Sequence, residues 1–241
     1  MCDFFSLVTT DRHAIYYFNC KQRKNKIFDR RGNPLRPDSH ASICSYYGLD
    51  EDTVNKYEWN PFTNKLILDT EQFDEDPVYI LDHLNAQDWT PICGDLEGAR
   101  KFIAGLNDVQ WMKLDHNYGI PSGVKMFESR AAARAAARGG ARNTAWNTAN
   151  GATWYAAHAA ARGDAWDTAW KSAYEAAWNA VWDSVYEVSW DAALYCVFTY
   201  ILAGIEIPPH HTEHIRTRFE LWLHGYGVAC DVDGVLYCYK K

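Results

Sequence analysis

The sequence predicts an α+β fold. Three observations carry that expectation: short strand-like and helical segments alternate over residues 1–128, a four-residue Ala/Trp repeat fills residues 129–205, and residues 206–241 read as a helix followed by a β-hairpin. The same three spans are the expected domain organisation: a mixed α+β domain, a tetrad-repeat helical region, and a C-terminal helix with its hairpin. With 241 residues, 48% of them hydrophobic, the chain has ample apolar surface for a packed core.

The first region opens with two strand-like runs, Phe4 to Thr10 and Ala14 to Asn19, around the polar Asp11-Arg12-His13, which predicts a hairpin. From Pro37 onward, Asp38 or Ser39 offers an N-cap, apolar residues recur at helical spacing, and Gly48 supplies a stop, so a short helix is expected. Tyr57 to Trp59 and Lys65 to Leu68 flank Asn60-Pro61-Phe62-Thr63-Asn64 as a second hairpin. Asp76 to Leu84 and Asp95 to Leu106 read as two further helices.

Charge is unevenly spread. The formal net charge is -7, which removes the electrostatic footprint of a general nucleic-acid coat, so nucleic acid is not an expected partner. Lys21, Arg23, Lys24, Lys26, Arg30, Arg31 and Arg36 crowd one expected loop, whereas residues 66–99 hold nine acids and no Lys or Arg. Such a dipolar surface either orients a charged partner or keeps the domain soluble.

The repeat region runs as eighteen tetrads from 131 to 202 without an insertion, and its Ala content and lack of proline select helix. An α-helix turns about 100° per residue, so the last residue of each tetrad lands about 40° beyond the previous one. The row Trp166, Trp170, Tyr174, Trp178, Trp182, Tyr186, Trp190, Leu194, Phe198 and Leu202 must therefore wind around its helix rather than form a flat stripe. A straight helix over all 72 residues would measure about 108 Å. Breaks at Gly139, Gly140, Gly151 and Gly163, or association between copies, are expected instead. The rings themselves are expected as core or as the seam of a homo-oligomer.

Ahead of the rings, Arg130, Arg134, Arg138 and Arg142 recur every fourth residue as a guanidinium stripe, a residue type suited to bidentate contact with phosphate or carboxylate. With the neighbouring aromatics Trp146 and Trp154 and with His158, which occupies the same tetrad position, they form the candidate ligand-binding set. A solvated helix face among poorly packing alanines is the simpler account of the stripe.

At the C-terminal end, Pro208 and Pro209 close the repeat, Thr212 is the expected cap of a helix through Ile215, Phe219, Leu221 and Leu223, and Gly225 stops it. Tyr226 to Cys230 and Val235 to Tyr239 follow as strands around Asp231-Val232-Asp233-Gly234, where Asp-Gly is a strong turn signal. Asp231 and Asp233 are read as turn residues, because a calcium loop starting there lacks its twelfth-position acid.

Catalytic signatures are sparse. His210, His211 and His214 with Glu213 satisfy H-x-x-E-H and are weak metal candidates at a helix start. His40 and Cys44 fall on one helical face, although a buried cysteine is usually inert packing. No phosphate loop, dinucleotide fingerprint or nucleophile elbow is present, so no cofactor is expected and an enzyme is the less favoured reading. Seven cysteines without a C-x-x-C pair suggest reduced thiols. The N-terminal text lacks the pattern of a signal peptide and the longest apolar run, Ala192 to Gly204, is too short to span a bilayer, so no membrane association and a cytoplasmic location are expected.

The tetrad array, the segment His214-Ile215-Arg216 with Phe219-Glu220-Leu221-Trp222, and the closing Gly225-Tyr226-Gly227-Val228 with Cys230-Asp231-Val232-Asp233-Gly234-Val235-Leu236-Tyr237 resemble bacteriophage proteins of unassigned role. Pro37-Asp38-Ser39-His40, Asn55-Lys56-Tyr57-Glu58 and Asn60-Pro61-Phe62 are similar to such proteins as well. The resemblance implies phage origin and expression in the host cytoplasm, and brings no catalytic residues with it. The expected function is a non-enzymatic accessory protein that binds a host protein or an anionic small molecule such as a signalling nucleotide, and so counters host defence. The alternatives are an assembly protein that oligomerises through the tetrad helices and a metal-dependent hydrolase.

Overall fold

A computed structural model describes residues 5–109, 111, 113–140, 164–181, 188–203, 205–232 and 234–240. The fold is α+β, and the chain divides into two compact units, residues 1–103 with 162–176 and residues 104–161 with 177–241. The cut after Ile103 precedes the compositional change near residue 128, because a strand at 124–127 belongs with the C-terminal hairpin.

The first unit is built on an antiparallel sheet of order β2-β1-β5-β6, with β1 at Phe5–Thr9, β2 at Ile15–Tyr16, β5 at Asn55–Asn60 and β6 at Lys65–Thr70. The expected first hairpin forms, pairing Val8 with Tyr16 and Thr9 with Ile15. Its second strand is shorter than the apolar run suggested, because Asn19 turns the chain as the N-cap of helix α1 at Cys20–Arg23. A small hairpin of β3 (Ile27–Phe28) and β4 (Pro34–Leu35) follows, so the basic residues expected in one loop are spread over a helix and a hairpin.

One of those basic residues is core. Arg23 is buried, donates from Nε to the Phe18 carbonyl at 2.7 Å, reaches Asp38 Oδ1 with Nη1 at 2.5 Å, and lies over the Phe5 ring 4.4 Å from its centroid. Guanidinium suits this position because its planar fork serves carbonyl, carboxylate and ring at once.

Helix α2, His40–Tyr47, begins at Ser39, whose side chain accepts the Ser42 N–H, and ends at Gly48 in the left-handed region at φ 71, as its sequence signals predict. Its inner residues Ile43 and Cys44 pack with Val8, Phe18, Ile27 and Val54 in one core cluster. The second hairpin forms as expected, with Asn60 Oδ1 accepting the Phe62 and Thr63 N–H groups to close the turn. Helices α3 (Val78–Asn85), α4 (Thr90–Cys93) and α5 (Leu96–Gly105) follow; the single turn α4 carries Pro91 at its start.

From the repeat, helix α7 (Asp164–Val181) contributes residues up to 176 to this unit. Thr168 donates its hydroxyl to Asp38, and the Ser172 carbonyl accepts from Asn60 Nδ2 at 3.1 Å. Trp170 is buried whereas Tyr174 is half-buried, and the fully packed positions are the small ones, Ser172, Ala173 and Ala176.

In the second unit, β7 (Val124–Phe127) pairs in parallel with β9 (Val235–Lys240), which pairs antiparallel with β8 (Tyr226–Val232), giving the order β7-β9-β8. The C-terminal hairpin is the expected one; the parallel partner is not. Helix α6 (Arg130–Gly140) opens with Ser129 Oγ accepting the Ala132 N–H at 3.2 Å. It lays Ala133 and Ala137 on Ala229, Cys230, Tyr237 and Tyr239, and alanine at every fourth residue gives the close approach that a sheet of tyrosines needs.

Helix α8 (Val188–Cys196) continues into a wider π-type turn over Val197–Ile201, where the Leu202 N–H bonds the Val197 carbonyl at 2.9 Å. Along this part of the tetrad row Trp190 is 38% exposed, whereas Leu194, Phe198 and Leu202 are buried. Of the two expected places for the rings, core or the seam of a homo-oligomer, Trp170 takes the first, and Trp190 is not core within one chain.

Helix α9 (Pro209–Leu223) starts three residues before the expected cap. Proline presets the backbone angle for the first helical position, so Pro209 begins the helix and Thr212 bonds the Pro209 carbonyl from inside it. No helix among the described residues is long and apolar enough to cross a membrane.

Candidate functional site

The sequence-predicted ligand set is partly visible. Arg130 and Arg134 stand one turn apart on α6 and, with Ala131 and Ala135, line a hollow of about 440 Å³. The alanine face of the same helix is fixed to the sheet, so the face bearing Arg134 is turned to solvent. Arg134 also bears on the chemistry beneath: burial raises the Cys230 thiol pKa, and the Arg134 guanidinium works against that rise. Arg138 belongs to the same helix. Arg142, Trp146, Trp154 and His158 lie outside the described residues.

The metal candidates are not assembled. His210 and His211 lie with ring centroids 4.1 Å apart, and burial followed by its two histidine neighbours lowers the His211 pKa. His214 Nε2 lies 2.5 Å from Asp231 Oδ2, and Glu213 pairs with Arg216 at 2.5 Å. Thus His214 and the glutamate that zinc hydrolysis would need are engaged elsewhere, and among the described residues no group of three His, Cys, Asp or Glu is placed to hold a metal ion. Asp231 differs from its expected role too. It sits within β8 opposite Leu236, with its side chain buried, rather than in the turn; Asp233 lies outside the described residues.

His40 and Cys44 do share a helix, and both are buried. The His40 Nε2 is 2.9 Å from the Tyr57 carbonyl, and burial pushes the Cys44 thiol up, so neither is arranged as a nucleophile and base.

Two polar constellations carry no sequence signature. In the first unit, the Glu75 carboxylate is wholly enclosed. Its Oε1 accepts from Thr9 Oγ1, from Asn55 Nδ2 at 2.7 Å and from the Tyr57 hydroxyl at 2.9 Å, while Oε2 accepts from the Tyr79 hydroxyl at 2.5 Å. Burial alone would raise its pKa, but these four donors outweigh it and hold the carboxyl below its ordinary range. Burial and the same carboxylate raise both tyrosine hydroxyls, which remain neutral donors. Asn55 also grips the Gln72 and Phe73 N–H groups, so the cluster fastens segment 71–75 to the sheet. With its oxygens occupied, Glu75 acts as a fastening rather than a base.

In the second unit, Asp115 and His224 form a pair at 3.1 Å between Oδ2 and Nδ1. They line a hollow of about 340 Å³ together with Val109, Lys113, Leu114 and Leu223. The two residues stand 109 positions apart, and no local spacing announces them.

No protein-family model, curated protein or solved structure matches the chain.

Proposed function

We propose that the protein is a non-enzymatic accessory protein, of the bacteriophage kind its text resembles, that binds an anionic small molecule of nucleotide size and so interferes with a host process. The observation supporting this is the hollow of about 440 Å³ flanked by Arg130 and Arg134 on a helix whose opposite face is anchored by Ala133 and Ala137. Its volume falls in the range of small-molecule sites, and each guanidinium offers a planar fork of donors that can meet a phosphate bidentately. Titration calorimetry with ATP, a cyclic dinucleotide and inorganic pyrophosphate tests the reading. Saturable heat that falls about tenfold or more in affinity in Arg130→Ala/Arg134→Ala supports it, since a charge-assisted hydrogen bond contributes about 1.5–3 kcal/mol. Absence of saturable heat with all three, or binding indifferent to the double substitution, overturns it.

A second reading is assembly between copies through the tetrad helices, supported by Trp190, a large ring 38% exposed on α8. Sedimentation at micromolar concentration tests it: a dimer or higher species that Trp190→Ser dissociates supports it, and a strict monomer removes it.

A further inference from the structure

The hollow at Asp115 and His224 is built in more detail than its exposure suggests. Asp115 Oδ1 accepts the Asn117 backbone N–H at 3.0 Å, which leaves Oδ2 for His224 Nδ1. The Asp115 N–H donates to the His224 carbonyl at 3.1 Å, so backbone and side chain of the same two residues are tied together. The Tyr118 ring lies over the imidazole, centroids 3.8 Å apart and planes within 14°. Behind them, Gly225 at φ 83 lets the turn press against the Lys113 backbone: a Cβ there would sit 2.5 Å from the Lys113 carbonyl oxygen. The imidazole is thus held by a carboxylate at one edge and by a ring on one face.

With Nδ1 turned to the Asp115 carboxylate, Nε2 is the ring nitrogen left to a ligand, and an imidazole whose proton sits on Nδ1 offers it as a hydrogen-bond acceptor. The rest of the lining supplies complementary chemistry. Lys113 brings the one basic side chain besides the imidazole, and Val109, Leu114 and Leu223 bring apolar surface. An ammonium, an oriented acceptor and an apolar wall together define a small amphipathic anion bearing a donor group.

We propose that this hollow is a binding site for a short branched or linear hydroxycarboxylate, whose carboxylate meets Lys113, whose hydroxyl donates to His224 Nε2, and whose hydrocarbon part covers Val109, Leu114 and Leu223. The site is independent of the Arg130/Arg134 hollow and uses none of its residues.

The test uses the full chain and 2-hydroxyisovalerate as probe, with isovalerate as its hydroxyl-free control, followed by long-range proton–nitrogen NMR of the histidine side chains. The free protein shows His224 with its proton on Nδ1, and the probe shifts the Nε2 resonance saturably. Isovalerate binds about tenfold more weakly, as expected when one acceptor is left unmatched. Lys113→Met weakens the probe by a similar factor; because Lys113 is exposed and only its backbone meets Gly225, that variant keeps its fold, verified by an unchanged unfolding midpoint. His224 carrying its proton on Nε2, no saturable shift below about 50 mM probe, or equal affinity for the two acids overturns the proposal.

Discussion

Asp191 and Arg218 face each other inside the second unit, with Arg218 Nε and Nη2 each 2.8 Å from Asp191 Oδ1. The remaining carboxylate oxygen accepts the Trp222 indole N–H at 2.8 Å, so the first residue of a tetrad on α8 meets two residues one turn apart on α9. Removing one partner of a buried pair leaves an uncompensated charge in a poorly solvating interior. Asp191→Ala is expected to lower the unfolding free energy by about 3–5 kcal/mol, whereas Glu97→Ala at the exposed Lys101 pair leaves the unfolding midpoint essentially unchanged. Urea unfolding of the two variants checks the contrast.

Glu75 predicts a pH dependence with a definite sign. Its native pKa lies below the ordinary value of 4.5, so between the two the unfolded chain binds more protons. The stabilisation is fully present above that ordinary range and is lost as pH falls through the native value. Glu75→Gln is expected to flatten this acid limb of the stability curve and, by leaving neighbouring donors poorly matched, to cost about 1–3 kcal/mol at neutral pH. Denaturant midpoints measured from pH 7 down to pH 3 provide the check.

Gly225 and Gly32 share nearly the same backbone angle, φ 83 and 82, but a Cβ meets the Lys113 backbone at the first and nothing within 4 Å at the second. Gly225→Ala is therefore expected to cost about 2–4 kcal/mol and Gly32→Ala about 1 kcal/mol, the latter from the left-handed conformation alone. Thermal unfolding of the pair separates steric from conformational cost.

Thiol reactivity should divide the described cysteines. Cys44, Cys93, Cys196, Cys230 and Cys238 are buried, and burial raises each of these thiols, Cys238 up to about 12. Among the described cysteines only Cys20 is half-exposed; partial burial raises its thiol as well, so access rather than acidity sets it apart. A thiol-exchange reagent at neutral pH should lose one fast equivalent in Cys20→Ser, with the five buried thiols reacting on the timescale of unfolding.

What the sequence made legible was local. Ser39 and Gly48 bracket their helix, Asn60 to Asn64 turn the second hairpin, and Tyr226 to Tyr239 form the last one, because caps and turns are written within a few residues. The helical state of the described tetrads was legible in their alanine content, whereas which row members are enclosed, Leu194 and not Trp190, was not. Non-local pairing was silent. Arg23 counted as surface charge until Asp38, Phe18 and Phe5 surrounded it, and nothing near Asp191 in the sequence announces Arg218 and Trp222 as its partners. Asp115 and His224 are two commonplace residues in the text, and only the folded chain makes them neighbours.

The parallel pairing of Val124–Phe127 with Val235–Lys240 also dictates an order of events during synthesis. Since β9 lies between its two neighbours, a nascent chain that has reached only residue 234 holds an unpaired strand at 124–127 and a helix whose Ala133 and Ala137 still lack Tyr237 and Tyr239, the β9 part of their seat. Helix α6 is made well before that strand, so its seat on the sheet is completed only when Val235–Lys240 has been added.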